Sequence, residues 1–199
     1  MNTFRVSNVE AFRRFLHDDD IALECLLADI RGDRQPSELM LAGTAFHKVL
    51  ENAPLGEMEE AGANGFEFTI LADIDLAMPE IRELRASKVY LVDGLPIAIS
   101  GQVDAIEGNR IFDHKTTGRF DPERFMASYQ WRLYLEIFGA SSFVWNVFVM
   151  QPLEDEERRY CISAFYSLSQ YRYPGMERDC EALVSEFARF VRTYMPEHT

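Results

Sequence analysis

The sequence has few cysteines, few basic residues and no long apolar run. Its three cysteines, Cys25, Cys161 and Cys180, are scattered and form no CxxC pair. We therefore expect neither a disulfide framework nor a zinc knuckle, and we predict that the three thiols are buried as small apolar side chains. No stretch of about 18 apolar residues could span a bilayer, and the first residues lack the pattern of a secretory signal. We expect a cytoplasmic protein with no membrane partner.

Basic residues are outnumbered by acidic ones. The chain has 20 Lys and Arg against 33 Asp and Glu, a formal net charge of −13. Such a field repels phosphate, so the protein does not coat nucleic acid through its overall charge. A DNA substrate would have to meet a local basic patch or a bound metal. With 199 residues, 47% of them hydrophobic, the chain fits one domain over residues 1–199.

Helix and strand signals alternate along the chain. A capping box at Ser7–Glu10 predicts a helix to about Ile30, and Ser37 can begin a second helix that ends near Glu51. The other expected elements are a loop over 52–65, strands over 66–72 and 89–92 with a helical turn over 79–86 between them, a hairpin over 97–116, a helix over 122–138, strands over 143–150 and 160–168, and a helix over 176–194. Helices at both ends of a largely antiparallel strand group predict an α/β or α+β domain.

The hairpin places two carboxylates opposite each other. Gly108-Asn109 favours a two-residue turn, and counting outward puts Ala105 opposite Phe112 and Asp104 opposite Asp113. Because hydrogen-bonded and non-hydrogen-bonded pairs alternate, the aspartates are expected in a non-hydrogen-bonded pair with Cα atoms about 4.5 Å apart. Facing like charges are destabilising unless they share a proton or bind a cation. A hard divalent ion such as magnesium or manganese would satisfy them.

A lysine joins the carboxylates. Lys115 lies two residues after Asp113 and so shares its face of the strand. A metal held there could polarise a phosphodiester and lower the pKa of a bound water, while the lysine orients that water or offsets developing negative charge. The alternative is a surface hairpin on which the two aspartates are solvated and neutralised by the lysine.

Two predicted helices add further candidates. Gly43 lies one helical turn before His47, where a missing side chain allows another backbone to approach. Gln130 and Tyr134 are four residues apart and therefore project from one face of their helix. The alternatives are a partly exposed helix histidine at position 47, and a packed tyrosine beside a capping glutamine at positions 134 and 130.

These segments resemble the motifs of a known enzyme group. Gly101-Gln102-Val103-Asp104 and Asp113-His114-Lys115-Thr116 resemble the G-x-x-D and D-x-K-T motifs of the RecB-like branch of the PD-(D/E)XK nuclease superfamily. Gly43 to His47 and Gln130 to Tyr134 resemble its G-x-x-x-H and Q-x-x-x-Y helices, in the family's order over about residues 41–139. The chain is also similar to lambda-exonuclease-type phage nucleases. The resemblance implies a restriction-endonuclease-like core, with a central mixed β-sheet and a catalytic antiparallel hairpin flanked by helices.

The resemblance also implies roles for individual residues. His47, Asp104, Asp113 and the backbone carbonyl of His114 would hold magnesium or manganese, and Lys115 would act with the two aspartates in catalysis. Gln130 and Tyr134 would position the substrate and brace the site. The His114 side chain is predicted to face away from Lys115, so it is a structural or surface histidine rather than a catalyst.

One feature of the family is less well matched. Many members carry a glutamate on the strand before the G-x-x-D strand, where this chain offers Lys88, with Glu67 as a possible substitute. The number of metals is therefore left open. Iron–sulfur variants of the branch need four cysteines, so no such cluster is expected in a chain with three.

Residues between the motifs suggest how DNA would be held. Arg119 and Arg124 are predicted DNA contacts that could supply the local basic surface. Phe120, Phe125 and Trp131 could stack on unpaired bases, although aromatic residues at helical spacing usually belong to the core.

The resemblance and the residues together predict a metal-dependent DNA nuclease. An exonuclease serving recombination, repair or replication in a bacterial or phage-infected cytoplasm is favoured over a sequence-specific endonuclease. The sequence lacks the helicase signature GxxxxGK[ST], so the enzyme would act alone, as a homo-oligomer, or beside a recombination or replication partner. The alternatives are a catalytically silent nuclease-fold subunit that binds DNA or another protein, and a metal phosphodiesterase acting on RNA.

Overall fold

The computed structural model of the protein describes residues 3–52, 60–74, 76, 79–154 and 157–196. Within these residues the elements are β1 (Thr3–Arg5), α1 (Val6–His17), α2 (Leu23–Arg31), α3 (Glu38–Asn52), β2 (Glu60–Ala63), β3 (Phe66–Ile70), β4 (Ile81–Val92), β5 (Leu95–Glu107), β6 (Arg110–Thr117), α4 (Pro122–Ala127), α5 (Gln130–Phe138), β7 (Ser142–Pro152), β8 (Arg159–Tyr171) and α6 (Met176–Tyr194). They form a mixed α/β fold with a central mixed sheet flanked by helices, which confirms the predicted fold class.

The sheet is built around the long strand β5. One edge of β5 pairs with β4, and its other edge pairs first with β1 and then, near the hairpin turn, with β6. From β6 the order continues through β7, β8 and β3 to β2. The pairs β1–β5, β6–β7 and β3–β8 are parallel, and the remaining pairs are antiparallel.

The predicted hairpin register is confirmed next to its turn. Glu107 pairs with Arg110, Ile106 with Ile111, and Ala105 with Phe112, and this last pair lies in a small core cluster of its own with Val144. The parallel pairing with β7 then places Asp113 beside Trp145 and Lys115 beside Val147.

Helices cover both faces of the sheet. Alternate residues of a strand point to opposite faces. On β7, Trp145 and Val147 belong to the core cluster that includes α1, α5 and α6, whereas Phe148 and Met150 pack with α3. Helices α3 and α5 therefore approach the hairpin from opposite sides of the sheet.

Several predicted elements were wrong. Residues 79–86 are not a helical turn, because Ile81 begins the long strand β4, which pairs along β5. The expected loop over 52–65 contains strand β2, and residues 53–59 lie outside the described residues. The Ser7–Glu10 capping box does not form, since Arg5 is the N-cap residue of α1 and donates its backbone N–H to Asn8 Oδ1 at 2.9 Å.

Two predicted long helices are each divided in two. The first is interrupted between His17 and Leu23, and the second between Ala127 and Gln130. Gly32 and Gly139 end α2 and α5 in the left-handed conformation, as expected of C-cap glycines.

The cysteine prediction holds for two of the three residues. Cys161 and Cys180 are buried free thiols, but Cys25 is exposed. In the described part of the chain, no helix combines the length and apolar character needed to cross a membrane.

Candidate active site

The two aspartates lie where β5 and β6 part. The paired ladder ends at Ala105 and Phe112, and Asp104 and Asp113 are next in register. One step further, the backbone N–H of His114 donates to Asp104 Oδ2 at 2.5 Å. In a continuing antiparallel ladder this N–H of His114 would donate to the backbone of β5, but here it donates to the Asp104 side chain. The two strands therefore separate and form a fork around the carboxylates.

Asp113 and Lys115 form a close ion pair inside this fork. Lys115 Nζ lies 2.5 Å from Asp113 Oδ2. Asp113 is 1% exposed, whereas 32% of the Lys115 side chain remains exposed. The ammonium also lies 5.6 Å from the centre of the Trp145 ring, within cation–π range. The lysine thus connects a buried carboxylate with solvent.

Helix α3 delivers His47 to the other carboxylate. His47 Nδ1 is 3.7 Å from Asp104 Oδ2. The helix can approach β6 because Gly43 has no side chain: a Cβ atom there would lie 2.7 Å from Thr116 Oγ1. The predicted close approach at Gly43 is therefore present, and the group that approaches is a threonine side chain rather than a backbone.

Helix α5 brings Gln130 and Tyr134 to Asp113 from the opposite side. Gln130 Nε2 lies 3.4 Å from both Asp113 Oδ1 and the Tyr134 hydroxyl. The helix break places Gln130 at the first position of α5, where its backbone N–H donates to Ser128 Oγ at 3.1 Å. A Cβ atom at Gly101 would lie 2.5 Å from Tyr134 Cε1, so this glycine of the G-x-x-D segment makes room for the tyrosine ring.

Burial sets the protonation of the site. Desolvation raises the pKa of Asp113 to about 6, opposed by the charge of Lys115 and assisted by that of Asp104. The pKa of Asp104 is also raised by burial. Burial alone would lower the pKa of Lys115, but the two aspartates reverse this and raise it. Lys115 is therefore a fixed positive charge beside two carboxyl groups that are costly to ionise.

The same environment keeps His47 neutral. Burial and, next, the charge of Lys115 lower its pKa to about 4, against the effects of Asp113, Glu51 and a hydrogen bond to the backbone of His114. A neutral imidazole retains a lone pair that can bind a metal.

The His114 side chain lies on the face of β6 opposite to Lys115. It is 3% exposed, lies 3.4 Å from Asn146 Nδ2 through its Nδ1 atom, and has its ring 6.2 Å from that of Phe148. Burial lowers its pKa to about 3. The structural alternative for this side chain is correct, and the surface alternative is wrong.

A third acidic side chain, that of Glu83, lies near Asp104 and was not predicted from the sequence. The pairs Arg82–Ala105 and Leu84–Val103 place Glu83 across from Asp104, with a positive φ of 54°. Its carboxylate accepts a short hydrogen bond from Gln102 and helps to raise the pKa of Asp104. Because a helical turn was predicted for residues 79–86, Glu83 was not expected on the strand that precedes the G-x-x-D strand.

Glu67 and Lys88 were the two residues considered for the family's glutamate on the preceding strand, and both are engaged in other contacts. Glu67 is exposed on β3, which is separated from β6 by β7 and β8, and pairs with Arg159 at 3.0 Å. Lys88 Nζ contacts the buried Glu136 carboxylate at 2.8 Å. Neither side chain is available to the carboxylate pair.

A cleft of about 250 Å³ opens beside Lys115 and Gln130. Arg13 and Arg14 of α1 and Arg124 of α4 line it, with Trp145. Arg13 is paired with Glu10 at 2.9 Å. The structure thus adds two arginines from the first helix, and it places Arg124 at the cleft and Arg119 on the exposed segment that precedes α4.

The side chains do not form a ready metal cage. Among the described residues, no three His, Cys, Asp or Glu side chains converge as a ligand group. Lys115 Nζ already occupies a position against Asp113 Oδ2.

Comparisons with known proteins bear on the fold. No family model matches the sequence, and no curated protein matches it. The solved structure described as SSO0001 superposes with a TM-score of 0.56 and 14% identity, over 96% of this chain and 77% of that one. LHK-Exo in complex with dAMP gives a TM-score of 0.46 and 12% identity, over 96% and 88%. The second likeness is too distant to support an argument, and the first shows that the α/β fold described above is shared with a solved protein.

Proposed function

We propose that the protein is a metal-dependent nuclease that hydrolyses phosphodiester bonds in DNA, and that it acts as an exonuclease in recombination, repair or replication. The observation that carries the proposal is the group at the fork of β5 and β6. Two largely buried carboxylates, a neutral imidazole and a lysine meet there beside a cleft lined by arginines. A protein that needed only stability would not keep two desolvated carboxyl groups side by side.

The donor set suits a hard divalent ion. Carboxylate oxygens are the preferred ligands of Mg²⁺ and Mn²⁺, and a neutral imidazole is acceptable to manganese. We assign His47, Asp104, Asp113 and the His114 carbonyl as the ligands, with Glu83 as a further acidic group near Asp104. A bound ion would polarise the scissile phosphate and lower the pKa of a water.

The protein's own groups would then act on the phosphate. The Lys115 ammonium, fixed in its charged form, offsets the negative charge that develops on the phosphate oxygens. Gln130 and Tyr134 hold the orientation of Asp113 through the Gln130 amide. Arg14 and Arg124 in the cleft bind the phosphates that flank the scissile bond, and Arg119 extends this contact.

A catalytically silent DNA-binding or interaction subunit is the second candidate. The lysine already paired with Asp113 favours it, and the net charge of −13 fits a subunit that binds another protein better than one that binds DNA. Such a subunit would bind DNA or a protein but would neither bind manganese at the fork nor cleave DNA.

The test is hydrolysis of end-labelled single- and double-stranded DNA with Mg²⁺ or Mn²⁺. Wild type should release labelled products, and Lys115→Ala and Asp113→Ala should each lose activity by at least about 100-fold, as is typical when one group that stabilises a transition state is removed. Asp93→Ala is the matched control, because Asp93 is an exposed aspartate paired with Arg189 and Arg192 on α6. Equal activity of Lys115→Ala and wild type would refute the assignment.

A further inference from the structure

A continuous row of aromatic rings leads from the cleft to the surface of β8. The Trp145 ring lies 5.5 Å from Phe125, and Phe125 lies 5.9 Å from Phe120. Phe120 in turn stacks on Tyr166, with ring centres 4.2 Å apart and an angle of 8° between the planes. The row begins at the Lys115 ammonium, which lies over Trp145.

The outer end of this row is open to solvent. Tyr166 is 43% exposed although Phe120 covers one side of its ring. The registers Lys115–Val147 and Val147–Tyr166 place these residues in one row across three strands. Neighbouring strands are about 4.8 Å apart, so the Cα atoms of Lys115 and Tyr166 are about 10 Å apart on the same face of the sheet.

Positive charge accompanies the rings. Arg119 directly precedes Phe120, and Arg124 directly precedes Phe125. Both arginines are exposed, and neither guanidinium has a hydrogen bond or ion pair with another residue in the described part of the chain. The acidic residues of the same segment, Asp121 and Glu123, are the N-cap and a first-turn residue of α4, where the amide groups of the helix start offset their charge. Arginines beside stacked aromatic rings are the combination that holds unpaired nucleotides, with phosphates on the cations and bases on the rings.

We propose that Tyr166 and Phe120 form a stacking platform for unpaired bases of the strand that is cleaved at Lys115. In a duplex the base faces are already stacked and are closed to such a platform. The substrate class is therefore single-stranded nucleic acid, or a duplex whose end has opened. This inference rests on the proposed nuclease function and names its substrate.

Binding of a fluorescein-labelled oligothymidylate, measured by anisotropy in EDTA to prevent cleavage, tests the platform. Tyr166→Ala should weaken binding by about 5- to 150-fold, the range for loss of one base-stacking contact. Tyr166→Phe keeps the ring and should bind like wild type. Tyr171→Ala is the matched control, because Tyr171 is 63% exposed on the same strand and lies an odd number of residues away, on the other face.

Three further measurements separate the outcomes. An abasic oligonucleotide should bind wild type as weakly as oligothymidylate binds Tyr166→Ala, a comparison that does not depend on the folding of a variant. An oligouridylate that shows the same dependence on Tyr166 would extend the platform to RNA. Blunt duplex DNA should be insensitive to Tyr166→Ala, and equal sensitivity of duplex and single strand would overturn the inference.

The platform and the nuclease can fail separately. Hydrolysis that depends on Lys115, together with unchanged binding by Tyr166→Ala, would overturn the platform and leave the nuclease standing. Tyr166-dependent binding by a wild-type protein that never cleaves DNA would support the platform and refute the nuclease. A wild type that does not bind oligothymidylate would overturn the platform directly.

Discussion

Replacing Asp113 by asparagine should stabilise the metal-free protein. The carboxyl group is 1% exposed, and burial raises its pKa from 3.8 to about 6 even though Lys115 lies beside it. The raised pKa means that the folded state binds a proton more tightly than the unfolded chain does. The contribution of Asp113 to the free energy of unfolding therefore falls as the pH rises between about 4 and 6, and it stays lowered above that range.

The size of the effect follows from the shift. A change of about two pKa units corresponds to about 3 kcal/mol at pH 8 and to about half of that at pH 5, where Asp113 is largely protonated in the folded state. Asparagine has a similar shape and no charge, so Asp113→Asn should gain these amounts over wild type. For a chain of this length, about 3 kcal/mol corresponds to a rise in melting temperature of roughly 6–12 °C.

Urea unfolding followed by circular dichroism, in EDTA at pH 8 and at pH 5, measures the difference. Asp93→Asn is the control of opposite sign, because hydrogen bonding to Arg189 lowers the pKa of the exposed Asp93. This variant should gain no stability at pH 8. Asp113→Asn that is equally or less stable than wild type at pH 8 would refute the view that the fork holds a carboxylate at the expense of stability.

Three other predictions concern packing, a buried ion cluster and the cleft. Gly101→Ala should lower the free energy of unfolding by about 1–3 kcal/mol, because the added Cβ would lie 2.5 Å from Tyr134 Cε1. Gly118→Ala is the control and should be near neutral in the same urea titration, because the space around Gly118 is open. Glu136→Gln should destabilise the protein by about 1–3 kcal/mol, because its carboxylate, 3% exposed, accepts charged hydrogen bonds from Lys88 and Arg172; an unchanged denaturation midpoint would contradict this. Arg124→Ala should weaken DNA binding and lower the slope of log affinity against log salt by about one, while a loss of affinity that does not depend on salt would exclude a phosphate contact.

The hairpin was predictable because its signals are local. A glycine–asparagine turn fixes the register, and the period of two along each strand fixes which side chains share a face, so the observed pairing of Ala105 with Phe112 follows from counting. The divergence of the strands beyond that pair was not predictable. It depends on the Asp104 side chain taking the His114 amide, an interaction between two strands that no local pattern encodes.

The positions of Arg13, Arg14 and Glu83 at the site depend on tertiary structure. Arg13 and Arg14 lie on a helix far in sequence from Lys115, and only the packing of α1 against the sheet brings them to the cleft. Glu83 was hidden because Pro79 and the charged residues after it look like a helical turn, although pairing with β5 makes them a strand. Propensity is a weak guide where a neighbouring strand supplies the hydrogen bonds.

Titration of manganese into the metal-free protein by isothermal calorimetry tests the central claim most directly. The account predicts saturable binding by wild type at pH 8, and loss of that binding in both Asp104→Ala and Asp113→Ala, with Asp93→Ala retaining it. Absence of binding by wild type, or binding that survives removal of both aspartates at the fork, would contradict a metal-dependent nuclease at this site.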